Sequence, residues 1–361
     1  MTKRELEILQ LLKQNPLISQ QELADLLHLK RSSVAVHLGN LVKKGVLKGK
    51  GYIINEEPYI IVLGGANIDI VGFSKQPLKI KDSNQGTLKI SMGGVGRNIA
   101  ENLVRLGLHT KLISVIGNDA HGKQLAAHSQ NIGLDINDSL FLKNHPSSVH
   151  IAIMDEDNDM ALGLSAMDCY EEMNLAFIKK KDTLLAQAKC IVLDTNIPKV
   201  ILDYTAQNNP KSKLFLDAVA GSKANRAKDL LKYLYTLKVN AIEAEILSNI
   251  SISKDSDLPK MATFFHAKGV KNVCVTLGSK GVFYSNAKSQ GFIKPFKATI
   301  VNTNGAGDAF TGGFVYADLL GKSLKESCLF AMGCASLAVS HEDNVNPSLQ
   351  PQIVKNILNN I

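Results

Sequence analysis

The heptapeptide Asn302-Thr303-Asn304-Gly305-Ala306-Gly307-Asp308 leads straight into an apolar run over 309–320 that reads as a helix. Its small residues let backbone amides come close to an anion, and the helix N-terminus adds partial positive charge at the same point. An acid set there is expected to be held ionised, which suits Asp308 to act as a general base. A glycine-rich helix start with an early-turn acid has the same appearance without any chemistry. Upstream, Met92-Gly93-Gly94-Val95-Gly96-Arg97-Asn98-Ile99-Ala100 is a second place where three glycines precede a helix. It reads either as backbone approached closely by a ligand or as a tight strand-to-helix turn.

Between and around these segments, short β-branched runs alternate with helical stretches. Runs at 59–63, 111–116, 190–194, 213–217, 237–239 and 273–276 predict strands, and Leu103, Leu230 and Phe264 fall in the intervening helices. That alternation predicts a parallel sheet with helices on both faces. Runs near 70–74, 87–92 and 148–154 break the alternation and predict a separate small sheet.

With 361 residues, 45% of them apolar and 20% charged, the chain has globular composition and the length of two domains. No apolar run is long enough to span a membrane, and no secretory leader is evident, so a cytoplasmic protein is expected. The five cysteines are scattered, with no CxxC pair to hold zinc or to suggest a disulfide framework.

The net charge of +8 is unevenly placed: residues 1–55 hold nine Lys/Arg against four acids. Leu6, Leu9 and Leu12 predict one face of a helix over 3–14, stopped at Asn15-Pro16. Ser19 with Glu22 forms a capping box for a helix over 20–27. A third helix carries Val34, Leu38, Leu41 and Val42 to Gly45, and 46–50 with 51–54 predict a hairpin. This layout resembles the winged helix-turn-helix modules of bacterial regulators. The resemblance puts the start of a recognition helix at 30–37, and Lys48 and Lys50 on the wing, against duplex DNA. A three-helix oligomerisation domain would use the same pattern. Residues 55–58 read as the linker, dividing the chain into 1–55 and 56–361.

The two glycine segments together resemble the paired signatures of the PfkB/ribokinase superfamily, and the likeness runs in order through the rest of the chain. It includes Gly65-Ala66-Asn67-Ile68-Asp69, Asn240-Ala241-Ile242-Glu243 and Thr276-Leu277-Gly278-Ser279-Lys280-Gly281. The segment 117–123 mimics a Walker A loop, but Gln124 stands where Ser or Thr would be needed. Gly117, Asp119 and Gly122 match the superfamily's own turn instead. The resemblance implies a ribokinase-like three-layer α/β/α domain with a small β lid, dimerising through that lid, and transferring phosphate from ATP. Asp308 would be the base, with Gly305, Ala306 and Gly307 as the anion hole. Glu243 would organise Mg2+, and Asn240, Thr276, Gly278 and Gly281 would line the nucleotide site. Asp69, Gly93, Gly94 and Asn98 would hold the sugar hydroxyls. Many relatives carry Asp where this chain has Asn302, near a potassium site, so K+ activation is in question.

Asp82-Ser83-Asn84, the Val95-x-Arg97 signature and Lys223 resemble the pseudouridine kinases within that superfamily. On that likeness Ser83, Asn84 and Lys223 reach the base. Ribokinase, another nucleoside kinase, and a transcription regulator using the fold as a ligand sensor are the alternatives. Retention of both Asp308 and Glu243 favours an active enzyme.

Overall fold

The computed structural model describes residues 1–47, 58–157 and 159–359. They form two compact units, Met1–Pro58 and Tyr59–Ile361. The expected hairpin beyond Leu47, with Lys48 and Lys50, and the linker residues 55–57 lie outside the described residues.

In the first unit three helices, Lys3–Gln14, Gln20–Leu26 and Arg31–Lys43, enclose Ile8, Leu12, Leu23, Val34, Leu38 and Leu41. The inward face of the first helix differs from the one expected. Leu6 is 46% exposed, while Glu5 is buried and its carboxylate accepts from Lys44 Nζ at 2.7 and 2.8 Å. Ile8 and Leu12 face inward, with Leu9 packed against the edge of the same core. Val42 likewise points outward, and Leu41 fills the core. Lys30, Arg31, Ser32 and Val36 are exposed at the start of the third helix.

The second unit contains fourteen described strands. They are β1 (Ile60–Leu63), β2 (Asn67–Ser74), β3 (Gly86–Gly93), β4 (Thr110–Ile113), β5 (Val115–Gly117), β6 (Leu140–Leu142), β7 (Val149–Met154), β8 (Met160–Ala166), β9 (Cys190–Asp194), β10 (Lys213–Asp217), β11 (Thr236–Asn240), β12 (Asn272–Thr276), β13 (Val282–Ser285) and β14 (Gln290–Ile293). Eight of them form the main sheet in the order β14-β13-β12-β11-β10-β9-β1-β4. From β4 to β12 every pairing is parallel; β13 and β14 add an antiparallel edge. Side chains alternate across it as the period of two demands. Ile61 and Leu63 join a core with the helices Lys199–Asn208 and Leu258–Ala267, while Ile60 and Val62 join another with Val95–Arg105 and Ala306–Leu319. Three layers follow.

Three sequence expectations need correction. The run 111–116 is two strands: the amide of Ser114 donates to Ser139 Oγ at 3.0 Å instead of continuing the ladder, so β5 leaves the main sheet and pairs with β6. Leu230 lies in a 3₁₀ segment, Asn225–Tyr233, rather than an α-helix. The small sheet has a fourth strand, β8, in the order β3-β2-β7-β8; its Gly, Ala and Ser content gave little strand signal.

This small sheet is the lid. Register places Ser91, Asp69, His150 and Ser165 on one face and Ile90, Ile70, Ile151 and Leu164 on the other. On the apolar face Leu88, Ile90, Leu162 and Leu164 are all more than half exposed.

Candidate active site

Parallel α/β sheets place their ligand crevice beyond the carboxyl ends of the strands, and the buried polar residues of this chain gather there. Asp194 ends β9, Asp217 ends β10, and Asn240 ends β11. Asp308 stands across from them in the first turn of the helix Ala306–Leu319 and is buried. Asn98 Nδ2 donates to Asp308 Oδ2 at 2.6 Å. Asn98 is itself held by the buried Arg97, whose guanidinium donates to Asn98 Oδ1 and to the carbonyls of Met92 and Gly93. Glu101 anchors Arg97. Burial alone would raise the Glu101 carboxyl, but the hydrogen bond with His128 and the charges of Arg97 and Arg105 outweigh it and bring it to about 2.

The protonation of Asp308 departs from the sequence expectation. Burial, reinforced by the charge of Asp217, pushes its carboxyl up to about 7; the Asn98 hydrogen bond and Lys238 only partly offset this. The helix N-terminus does not win, because removing a carboxylate from water costs more than a half-charge dipole returns. An acid with that affinity for protons is a better base near neutral pH than an ordinary aspartate.

Lys238 is the group that sequence reasoning missed. It sits on β11 in register with Asp217 on β10, and its Nζ lies 3.0 Å from that carboxylate. Asp217 also accepts from Thr311 Oγ1 at 2.8 Å. A Cβ on Gly307 would come within 2.8 Å of Lys238 Nζ. The cation therefore lies directly behind the glycine turn.

Of the residues expected in the anion hole, Gly305, Ala306 and Gly307 form the turn and first helical residues, with Gly305 at φ +78. A Cβ on Gly305 would lie 1.9 Å from the Asn344 carbonyl oxygen, so only glycine fits. Asp69 faces the same space from the lid. Its carboxylate accepts from Asn67 at 2.5 Å and Asn344 at 2.8 Å, and burial raises its proton affinity. Gly93 leaves room for it, since a Cβ there would touch all three carboxylate atoms at 2.4 Å. Gly94, at φ +94, packs against the Gly65 carbonyl. Asn344 was also missed; it comes from a polar stretch without periodicity.

Lys223 lies farther along the crevice, with Nζ 2.6 Å from Asn196 Oδ1 and 3.3 Å from Met167 Sδ. Ser83 and Asn84 are not brought to it. Both are exposed on the loop between β2 and β3, where Asn84 is tied to the backbone of Lys79 and Asp82.

On the other side of Asp308, a cleft of ≈ 320 Å³ is lined by Asn240, Ile242, Lys254, Thr276, Gly278 and Lys280 among others. Gly281 is not part of its wall. It turns the chain at φ +98, where a Cβ would meet the Ile293 carbonyl at 2.0 Å. Glu243 closes a capping box with Asn240: its two carboxylate oxygens accept from the Asn240 amide at 2.8 Å and side chain at 2.7 Å. Among the described residues no cluster of three or more His, Cys, Asp or Glu could hold a metal. With both its oxygens engaged by Asn240, Glu243 would act on a magnesium ion through water rather than as a direct ligand.

A buried acid of raised proton affinity, glycine amides at a helix N-terminus and a second acid facing them from a lid are an arrangement suited to a phosphotransferase acting on an alcohol group. The chain belongs to the pfkB family of carbohydrate kinases, whose model matches residues 57–351, and its residues 1–48 match the family model described as winged helix-turn-helix DNA-binding. It is similar to the uncharacterized sugar kinase YeiI of Escherichia coli, with 35% identity over 97% of both chains. The pseudouridine kinase of Escherichia coli is 33% identical over 85% of this chain and 98% of its own. The structure of Arabidopsis thaliana ribokinase complexed with ribose and ATP superposes with a TM-score of 0.76 at 25% identity, covering 84% of this chain and 99% of that one. The protein is thus a sugar or nucleoside kinase. Among the described residues no helix is long and apolar enough to cross a membrane.

Proposed function

We propose that the chain transfers the γ-phosphoryl group of ATP to the 5′-hydroxyl of pseudouridine, and that its N-terminal domain binds duplex DNA. In this reading Asp69 and Asn98 hold the ribose hydroxyls, with Gly93 and Gly94 giving close backbone approach. Asp308 takes the proton from the 5′-oxygen as it attacks in line, and the amides of Gly305–Gly307 meet the charge on the transferring group. Lys238 supplies positive charge behind them. Glu243 and Asn240 would orient the waters of a magnesium ion, which would supply positive charge to the nucleotide phosphates. Asn240, Thr276 and Gly278 would line the nucleotide cleft.

The observation that carries the base assignment is the Lys223–Asn196 pair. An ammonium and an amide offer donors to a uracil carbonyl and an acceptor to a ring N–H. Pseudouridine, joined through carbon, keeps one ring N–H more than uridine. A site that pairs this donor leaves a buried acceptor unmatched when uridine binds, at about 1–3 kcal/mol. The similarity to YeiI is as great as that to pseudouridine kinase and supports the second reading, a sugar kinase.

Purified protein with ATP and magnesium should phosphorylate pseudouridine at least tenfold better than uridine by kcat/KM, and far better than ribose. Lys223→Ala should narrow the first ratio. A preference for ribose, or equal use of the two nucleosides, would displace the pseudouridine reading. Two copies are expected to pair lid to lid, covering Leu88, Ile90, Leu162 and Leu164, since so large an exposed apolar face is uncommon in a monomer.

A further inference from the structure

Kinases of this fold raise the question of a monovalent cation beside position 302, and the residues present do not fit one. Asn302 brings an amide in place of a carboxylate, and its Nδ2 donates to the carbonyl of Glu342 at 2.9 Å. That carbonyl also accepts from Lys89 Nζ at 2.6 Å. The ammonium stands 3.7 Å from the Glu342 carboxylate and 3.9 Å from that of Asp343. A metal cation needs oxygens turned toward it with their lone pairs free. Here the oxygen beside Asn302 already holds two N–H donors, one of them positively charged.

We propose that Lys89 carries the cation of this site in covalent form, so that phosphoryl transfer by this chain needs no monovalent ion. The placement of Lys89 makes the charge useful. It lies on lid strand β3, two residues from Ser91, the register partner of Asp69. Its carbonyl acceptor belongs to the segment that carries Asn344. Asn344 Nδ2 holds Asp69 and the carbonyl of Met92, and its carbonyl packs against Gly305. The ammonium therefore braces the segment against which the anion-hole turn is built, and it arrives with the strand that helps form the acceptor site. A free ion would fill the first role alone. The proposal rests on the kinase activity of the family and not on which acceptor is used.

The test compares potassium, sodium and tetramethylammonium chlorides at one ionic strength, with pseudouridine and ribose as acceptors, Tris-ATP, and product measured by chromatography. Native turnover should agree within about twofold across the salts, and Lys89→Met should lose about tenfold to a hundredfold in all three. The double variant Lys89→Met, Asn302→Asp removes the ammonium and restores the carboxylate. It should regain turnover in potassium but not in tetramethylammonium, and its melting temperature should rise with potassium while the native one does not. Activation of the native protein by potassium overturns the proposal. So does native-like turnover of Lys89→Met in tetramethylammonium. A loss in Lys89→Met that potassium cannot restore in the double variant makes Lys89 a lid fastener only and equally overturns it. The melting comparison needs no acceptor, and failure of the pseudouridine reading shows separately, as absent transfer to that nucleoside in every salt.

Discussion

Replacing Asp217 by Asn should move the acid limb of the pH–rate profile to lower pH, at some cost in stability because Lys238 loses its buried partner. Asp308 is pushed from 3.8 to about 7, which favours its protonated form by about 4 kcal/mol. The base must be ionised to accept a proton, so the rate should fall as pH drops through 7. One titrating group gives roughly a tenth of full rate at pH 6 and a hundredth at pH 5. After burial, the charge of Asp217 is the main cause of the shift, with Asp194 adding to it; Lys238 and the Asn98 hydrogen bond act against it. Asp217→Asn keeps the shape and removes a like charge, while giving up one of the two acceptor oxygens that now take the Val219 amide and Thr311 Oγ1. The limb should then move down by about one pH unit. Lys238→Met removes the opposing charge, so its limb should move up, with a fall in rate from the lost stabilisation of the phosphoryl group. The assay is single-turnover transfer from labelled ATP between pH 5 and 9, which keeps product release out of the measured step. A native profile flat over pH 5–8, or Asp217→Asn and Lys238→Met moving the limb in the same direction, would refute the reasoning. Asp308→Asn serves as the floor, about 10²–10⁴ below native.

Asn344→Ala should raise KM for the acceptor about tenfold or more with a smaller change in kcat, because it removes a hydrogen bond of 2.8 Å to the Asp69 carboxylate; steady-state kinetics separates the two parameters. A chain starting at Pro58 should keep full kinase activity, since every group placed in the active site lies beyond it, and loss of activity in a folded product would refute the division. The full-length protein should be retained on duplex DNA with an affinity that falls steeply with salt, and Arg31→Ala should flatten that slope. Leu164→Lys, on the outer face of the lid, should halve the mass measured by light scattering if two copies pair there.

The backbone requirements were legible in the sequence and the charge network was not. Gly94 and Gly305 adopt positive φ where an L-residue would be strained, and each lies against another backbone carbonyl. Such positions leave a glycine behind, so the two signature turns could be read directly. The parallel strands were readable for a similar reason, being short apolar runs buried on both faces. Lys238, Asp217 and Asn344 left no such trace. Lys238 is a single polar residue in the middle of β11, Asp217 ends β10 and Asn344 lies in a loop, and their proximity comes from the order β10-β11 and from the fold of residues 341–346 against the lid. Ser83 and Asn84 are a different case: the polar turn was legible in the sequence and lies exposed on the loop between β2 and β3. The charge state of Asp308 was misjudged because local sequence shows the helix N-terminus, whereas the depth of burial and the neighbouring Asp217 are properties of the assembled sheet.

Gly305 and Gly307 look interchangeable in the heptapeptide, yet the structure requires glycine at them for different reasons. At Gly305 the obstacle is backbone: φ is +78 and a Cβ would overlap the Asn344 carbonyl oxygen at 1.9 Å. No rotamer change relieves that, so the requirement is one of folding the turn. At Gly307 the nearest atom is the mobile end of a side chain, Lys238 Nζ at 2.8 Å, with Cε next at 3.7 Å. A methyl group could be accommodated there by moving the ammonium away. That movement would separate the cation from the glycine turn and weaken its restraint on Asp308. What keeps position 307 small is therefore the placement of a charge rather than the path of the chain. One buried lysine thus ties the geometry of the glycine turn to the basicity of Asp308, the proposed base.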